Sequence, residues 1–186
     1  MYGQALRKEA MPIDTEAQFT DVYRAHYEDV LRFVRRRAHP MNVDDIVGET
    51  FLAAWRRRHE LPANPRPWLF GAARNVMLNA DRTMRRQAAL VVHIQATEVR
   101  DHERAVDATA QVDSRIDLVA AWQSLTSADQ EVLALHIWEG LNARDAATVL
   151  GCTRAAYAMR LTRAKRRLTS RLNPAAPASP ALSPTH

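Results

Sequence analysis

No segment of this 186-residue sequence alternates apolar and polar residues long enough to make a half-buried strand, whereas apolar residues recur at three- and four-residue spacing along most of it. Only five glycines interrupt that pattern. It restricts the chain to helices packed on helices, so the predicted fold class is all-α. Thr15 and Gln18 make a capping box ahead of Phe19, Val22, Tyr23, His26, Val30 and Phe33. Pro40 ends that helix. Asn42 is placed to cap the next, "VDDIVGETFLAAWRRRHE", with Ile46, Phe51 and Trp55 on its buried side. "LPANPRP" (Leu61–Pro67) breaks the chain again, and Pro67 suits the first turn of a third helix through "WLFGAARNVMLNADRTMRR".

These elements predict one small helical domain over residues 13–90. Residues 91–113 turn polar and uneven and read as a flexible linker. A second helical domain is expected at 114–172. There Ile116, Val119, Trp122 and Leu125 share a face, and Thr126 or Ser127 caps "ADQEVLALHIWEG". Asn142 and Asp145 bracket a short helix that ends at Gly151, where a left-handed residue is expected, and Thr153 caps the last helix. The proline-rich segment 173–186 has little to bury and is expected to be disordered.

Charge narrows the partner. The net charge is +5 and the isoelectric point near 10.0, which favours a polyanion. Cys152 is the only cysteine, so neither a disulfide framework nor a cysteine metal cluster is expected. The seven histidines show no metal-ligand spacing and no glycine loop cradles phosphate, so no metal, no cofactor and no enzyme activity is predicted. The longest apolar run, Ala88–Ile94, is too short to cross a bilayer and the first dozen residues do not read as a signal peptide. No membrane insertion is predicted, and the expected compartment is cytoplasmic.

Between Arg154 and Arg171 stand seven basic residues and no acidic one. Together with the short helix and "GCT" before it, this matches a helix-turn-helix. At 100° per residue, Tyr157, Leu161, Ala164 and Leu168 fall on the packing face. Ala155, Met159, Thr162 and Arg166 fall opposite, flanked by Arg163 and Lys165. Small residues let such a helix sit deep in a major groove, where Met159 and the Thr162 methyl can meet thymine methyls. The arginines hold phosphates, which position without specifying. Such a helix is a weak reader alone.

"VDDIVGETFLAAWRRR" followed by "PWLFGAARNVMLN" resembles the second conserved region of bacterial sigma factors. "LTSADQEVLALHIWEGLNARDAATVLGCT…RLTRAKRRL" resembles their fourth. Two regions joined by a short linker look like the extracytoplasmic-function subgroup of the sigma-70 family. The resemblance implies a chain that binds core RNA polymerase and directs initiation at promoter DNA by recognising −10 and −35 elements. The polar linker at 91–113, with one acidic and one basic surface otherwise left exposed, points to a further expected partner, an inhibitory anti-sigma protein. Asp44, Asp45 and Glu49 match the polymerase-gripping segment, although Gly48 replaces the usual glutamine. "PANPRP" matches the loop that captures a flipped −10 base, with Asn64 and Arg66 as polar candidates. Arg74 and Asn75 fall where the −10 duplex edge approaches, and Arg82, Arg85 and Arg86 would follow the backbone. Gly71 and Ala72 stand where primary sigma factors place wedging tryptophans; Trp68 is read as core. For the −35 element the implied set is Arg154, Ala155, Ala158, Met159, Arg160, Thr162, Arg163, Lys165 and Arg166. The rival reading is a stand-alone helix-turn-helix regulator. It accounts for residues 114–171 but leaves "DDIVGETFLAAW" without a task.

Overall fold

The structure, a computed structural model, describes residues 13–91 and 112–172. The regular elements among them are helices: α1 (Glu16–Arg35), α2 (Val43–Arg56), α3 (Arg66–Val91), α4 (Val112–Gln123), α5 (Ser127–Ile137), α6 (Ala143–Leu150) and α7 (Arg154–Leu172). One-turn 3-10 segments, Pro40–Asn42 and Arg58–Glu60, precede and follow α2. The chain is all-α, as expected. The linker reading falls mostly on residues 92–111 and the tail reading on 173–186, both outside the described residues.

Two compact units form, one from α1, α2, α3 and α6, the other from α4, α5 and α7. In the first, α1 starts at the capping box: Thr15 Oγ1 accepts from Gln18 N, and Gln18 Oε1 accepts from Thr15 N at 3.1 Å. Its core side buries Val30, Leu31, Phe33 and Val34 against Ile46, Val47, Phe51 and Ala54 of α2 and Leu69, Phe70 and Ala73 of α3. Phe33 and Phe70 stack with centroids 4.4 Å apart and planes 9° from parallel. Both rings are almost wholly buried, so Phe70→Ala would cost about 3–5 kcal/mol. The helix α6 packs along α3 within this unit.

Asn42 does not cap α2. It closes the preceding 3-10 turn with φ −105° and ψ 0°, and its side chain makes no cap bond. A capping residue needs extended backbone, which this turn denies it. Within the same unit α6 is capped as expected, with Asn142 accepting from the N–H of Arg144 and Asp145. Its far end is a left-handed Gly151 at φ 62°, where Cys152 N donates to Ala147 O at 3.0 Å, the Schellman pattern.

The second unit is built on Leu125, Leu133 and Ala164, with Trp122, Leu161 and Leu168 packed around them. Thr126 caps α5 by accepting from Asp129 N. The Asp129 carboxylate is itself largely buried and accepts from Arg167 of α7 at 2.6 Å. Tyr157 of α7 is buried with its hydroxyl 3.4 Å from Val132 O. Val119 departs from expectation: with Leu118 it is about half exposed, and among the described side chains of α4 the first buried one is Ala121. The side chain of Ile116 lies outside the described residues.

Candidate functional site

Three exposed surfaces are each positioned by buried neighbours in the same helix or loop. On α2, Asp44 and Asp45 sit in the first turn and Glu49 one turn beyond Asp45. All three are exposed, and none forms an ion pair among the described residues. Ile46, Val47 and Thr50 are buried on the other side and fix the helix, Thr50 Oγ1 donating to Ile46 O at 2.6 Å. Carboxylates in a first helical turn also complement the helix dipole, a role compatible with gripping a basic partner. Gly48 lies between them on open surface, where an added Cβ would meet nothing within 4 Å. Leu52, about half exposed, extends this face by a turn. It went unnoticed in the sequence because a single exposed leucine has no signature.

The second surface lies around the loop before α3. Leu61 and Pro65 are buried while Ala63 and Asn64 are exposed, so buried ends hold the tip outward. Asn64 and Asn75 are both exposed and make no side-chain hydrogen bond among the described residues, so both amides face solvent. Arg66 differs from expectation. It is the first residue of α3, not a loop residue, and its Nε donates to Asp29 Oδ2 of α1 at 2.8 Å. Its guanidinium also lies over the Phe70 ring, 4.8 Å from the centroid. Arg74 is half buried and already engaged, Arg82 is exposed, and the side chains of Arg85 and Arg86 lie outside the described residues.

Trp68, read as core, is half buried and lines a groove between α2 and α3. Ala72, Asn75 and Asn79 share the groove, as do Arg56 and Arg57 from the end of α2. Those two arginines are exposed and form no ion pair among the described residues. Arg58, by contrast, lies over the Trp55 ring at 4.5 Å. Guanidinium groups, amides and an aromatic face along one groove are the chemistry that tracks a single strand. The signal for Arg56 and Arg57 was present in "WRRR", but sequence alone does not say which of three arginines faces outward.

Beside Arg66 lies a small titrating cluster. Burial pushes the Asp29 carboxyl up, but hydrogen bonds from Arg32 and Arg66, with their charges, outweigh it and hold the group below the ordinary aspartate range. His26 is held below the ordinary histidine range, chiefly by burial, with Asp29 opposing and Arg66 assisting. Its Nδ1 is buried without a hydrogen-bond partner.

The third surface is α7. Tyr157 and Ala164 are buried and Leu161 and Leu168 half buried, whereas Ala155, Ala158, Met159, Arg160, Thr162, Arg163 and Arg166 are exposed. The helix therefore splits by angle as its sequence implied. Arg154, Arg160, Arg163 and Arg166 form no ion pair among the described residues. Lys165 lies 3.0 Å from Nε2 of His136 on α5, and Arg167 is committed to Asp129. Those four arginines, with the exposed Arg171, and a strip of small side chains thus remain for a ligand.

Known proteins match this arrangement. The family description Sigma-70 region 2 fits residues 22–88, and Sigma-70, region 4 fits residues 115–168. The RNA polymerase sigma factor NccH of Alcaligenes xylosoxydans xylosoxydans is 33% identical over 141 residues, spanning 70% of this chain and 73% of that protein. The ECF RNA polymerase sigma factor SigM of Bacillus subtilis is 25% identical over 156 residues, 82% of this chain and 94% of its own. In fold, the chain is similar to the sigma factor RpoE in its complex with the anti-sigma factor NepR from Bartonella quintana. That match has a TM-score of 0.60 at 21% identity and covers 85% of this chain and 98% of that one.

Proposed function

The chain belongs to the extracytoplasmic-function sigma factors of the sigma-70 family, which bind core RNA polymerase and direct promoter-specific initiation, and on that premise we propose how its surfaces divide the work. Residues 13–90 carry the polymerase- and −10-binding surfaces, 91–113 are the tether, and 114–172 carry the −35-binding surface, although α6 packs with the first unit. Asp44, Asp45 and Glu49 grip a basic surface of core polymerase. Asn64 holds an extruded base of the non-template strand, Asn75 meets the last paired base, and Arg74, Arg82, Arg85 and Arg86 follow the backbone, with Arg66 at the loop exit. Because Gly71 and Ala72 cannot wedge a duplex, opening draws on capture of the extruded base.

Arg154, Arg160, Arg163 and Arg166 hold −35 phosphates, with Lys165 beside them, while Ala155, Ala158, Met159 and Thr162 line the groove-facing strip. Specificity is then the product of two weak readers on one tether. The observation behind this reading is the presence, on one chain, of an exposed acidic face on α2 and an exposed arginine face on α7, neither ion-paired among the described residues. A stand-alone regulator has no use for the first.

The working compartment is the cytoplasm, where the polymerase is, and the chain acts as a regulator without catalytic activity of its own. Among the described residues no helix is long and apolar enough to cross a membrane. An anti-sigma protein is a further expected partner. Similar folds are known in complex with NepR and with the cytosolic domain of CnrY, and both charged faces here would suit a covering partner. The test is co-purification: core polymerase should be recovered with the tagged chain, and reversal of both Asp45 and Glu49 should abolish recovery while leaving helical content unchanged.

A further inference from the structure

The loop that presents Asn64 is braced at both ends to the region of α1. Ahead of it, His59 Nδ1 lies 3.1 Å from Asp14 Oδ1, a pair with both side chains more than half exposed. Behind it, Arg66 Nε lies 2.8 Å from Asp29 Oδ2, and here the side chains are only 30% and 25% exposed. The second brace is less screened and therefore the firmer of the two. Asp29 uses its other oxygen to accept from Arg32, one turn along α1, so the carboxylate is fixed from its own helix. Arg66 is fixed from the opposite side by the Phe70 ring, which stacks on the buried Phe33.

Held at its Nε and across its face, the Arg66 guanidinium is not poised to reach outward. It couples the first turn of α3 to α1. The chain direction at Pro65 depends on that coupling, since Leu69 N donates to Pro65 O at 2.8 Å and seats Pro65 at the head of the same helix. Asn64 is the next residue back. A base-reading amide must be held to within a fraction of an ångström, and second-layer contacts commonly supply that precision.

We propose that Asp29 is a positioning residue for base capture: through Arg66 it fixes the loop exit and so the place at which Asn64 meets the extruded base. The inference rests on the loop reading given above and changes the part played by Arg66 from contacting DNA to holding the loop.

The test uses the full chain assembled with core polymerase, transcribing pre-melted templates that carry single-base variants of the −10 element. Asn64→Ala should lose discrimination at one non-template base by about tenfold, the size of one base contact. Asp29→Asn should lose discrimination at that same base, with core binding unchanged and the thermal midpoint within a few degrees. Asp29→Glu should recover part of the loss. Arg66→Gln combined with Asp29→Asn should do no more than either alone, as expected for one shared contact. Full discrimination by Asp29→Asn beside a defective Asn64→Ala would overturn the positioning role and leave the loop reading standing. An Asn64→Ala protein with unchanged preference would overturn both. Equal loss at every promoter base with a lowered midpoint would reduce Asp29 to a stability role and also overturn the proposal.

Discussion

Replacing Gly48 by alanine should stabilise the first domain while leaving its partner-facing chemistry untouched. Gly48 stands inside α2, its φ is not positive, and a Cβ there would meet nothing within 4 Å. No steric penalty offsets the gain in helix propensity, which is about 1 kcal/mol for glycine to alanine in a helix interior. For a domain of this size that corresponds to a rise of roughly 4–8 °C in the unfolding midpoint. Thermal denaturation of the full chain followed by circular dichroism reads this directly. Gly48→Gln should give nearly the same shift, since glutamine is a good helix former. It also places a polar side chain among Asp45, Glu49 and Leu52, at the position where the family usually has one. Core-polymerase affinity should therefore rise for the glutamine variant and stay level for alanine. A lowered midpoint for Gly48→Ala would refute the claim that the site is open helix surface. Equal tightening by both variants would mean that helix stability, not a polar contact, limits the grip.

Acid should weaken the first domain in two stages. His26 has a lowered folded pKa, so its contribution is complete above about pH 6.5 and is lost as pH falls below that value; Asp29, also lowered, adds a second loss below about pH 4. Chemical denaturation at pH 7.5 and 5.5 should show the first stage, and His26→Gln should flatten it. Arg56→Ala and Arg57→Ala should each weaken binding of the holoenzyme to a pre-melted promoter and reduce its salt slope by about 1; unchanged slopes would remove the α2–α3 groove from the strand's path. Thr126→Ala should cost the second domain about 1 kcal/mol through loss of the α5 cap, read as a lower midpoint with no change in polymerase recovery.

Features set by neighbours in sequence are legible in the sequence itself. Thr15 with Gln18, Asn142, Thr126 and Gly151 each do locally what their residue types imply, because a cap or a left-handed turn is decided within one helical turn. The division of α7 into a buried and an exposed strip was legible for the same reason, being a matter of angle alone. Asn42 was misread because the 3-10 turn before α2 had already claimed its backbone, and a competing local structure leaves little trace in composition. Arg66 was misplaced for a different reason. Its partner Asp29 is 37 positions away, and only the packing of α3 on α1 brings the two together. Lys165 and Arg167 have neighbours on α5, His136 and Asp129, that nothing in the pattern of α7 announces. Long-range pairing decided which basic residues remain free, and no sequence pattern reports that.

The central claim is that two weak surfaces on one chain act together only on polymerase. Run-off transcription from a library of genomic promoters, with core polymerase and this chain as the only initiation factor, tests it most directly. The expected result is a small set of transcripts sharing one −10 and one −35 element at fixed spacing. These should vanish when either element is altered and when Asp45 and Glu49 are reversed. Transcripts unchanged by omitting the chain would contradict the account. So would tight, element-specific binding of duplex promoter DNA by the chain without polymerase.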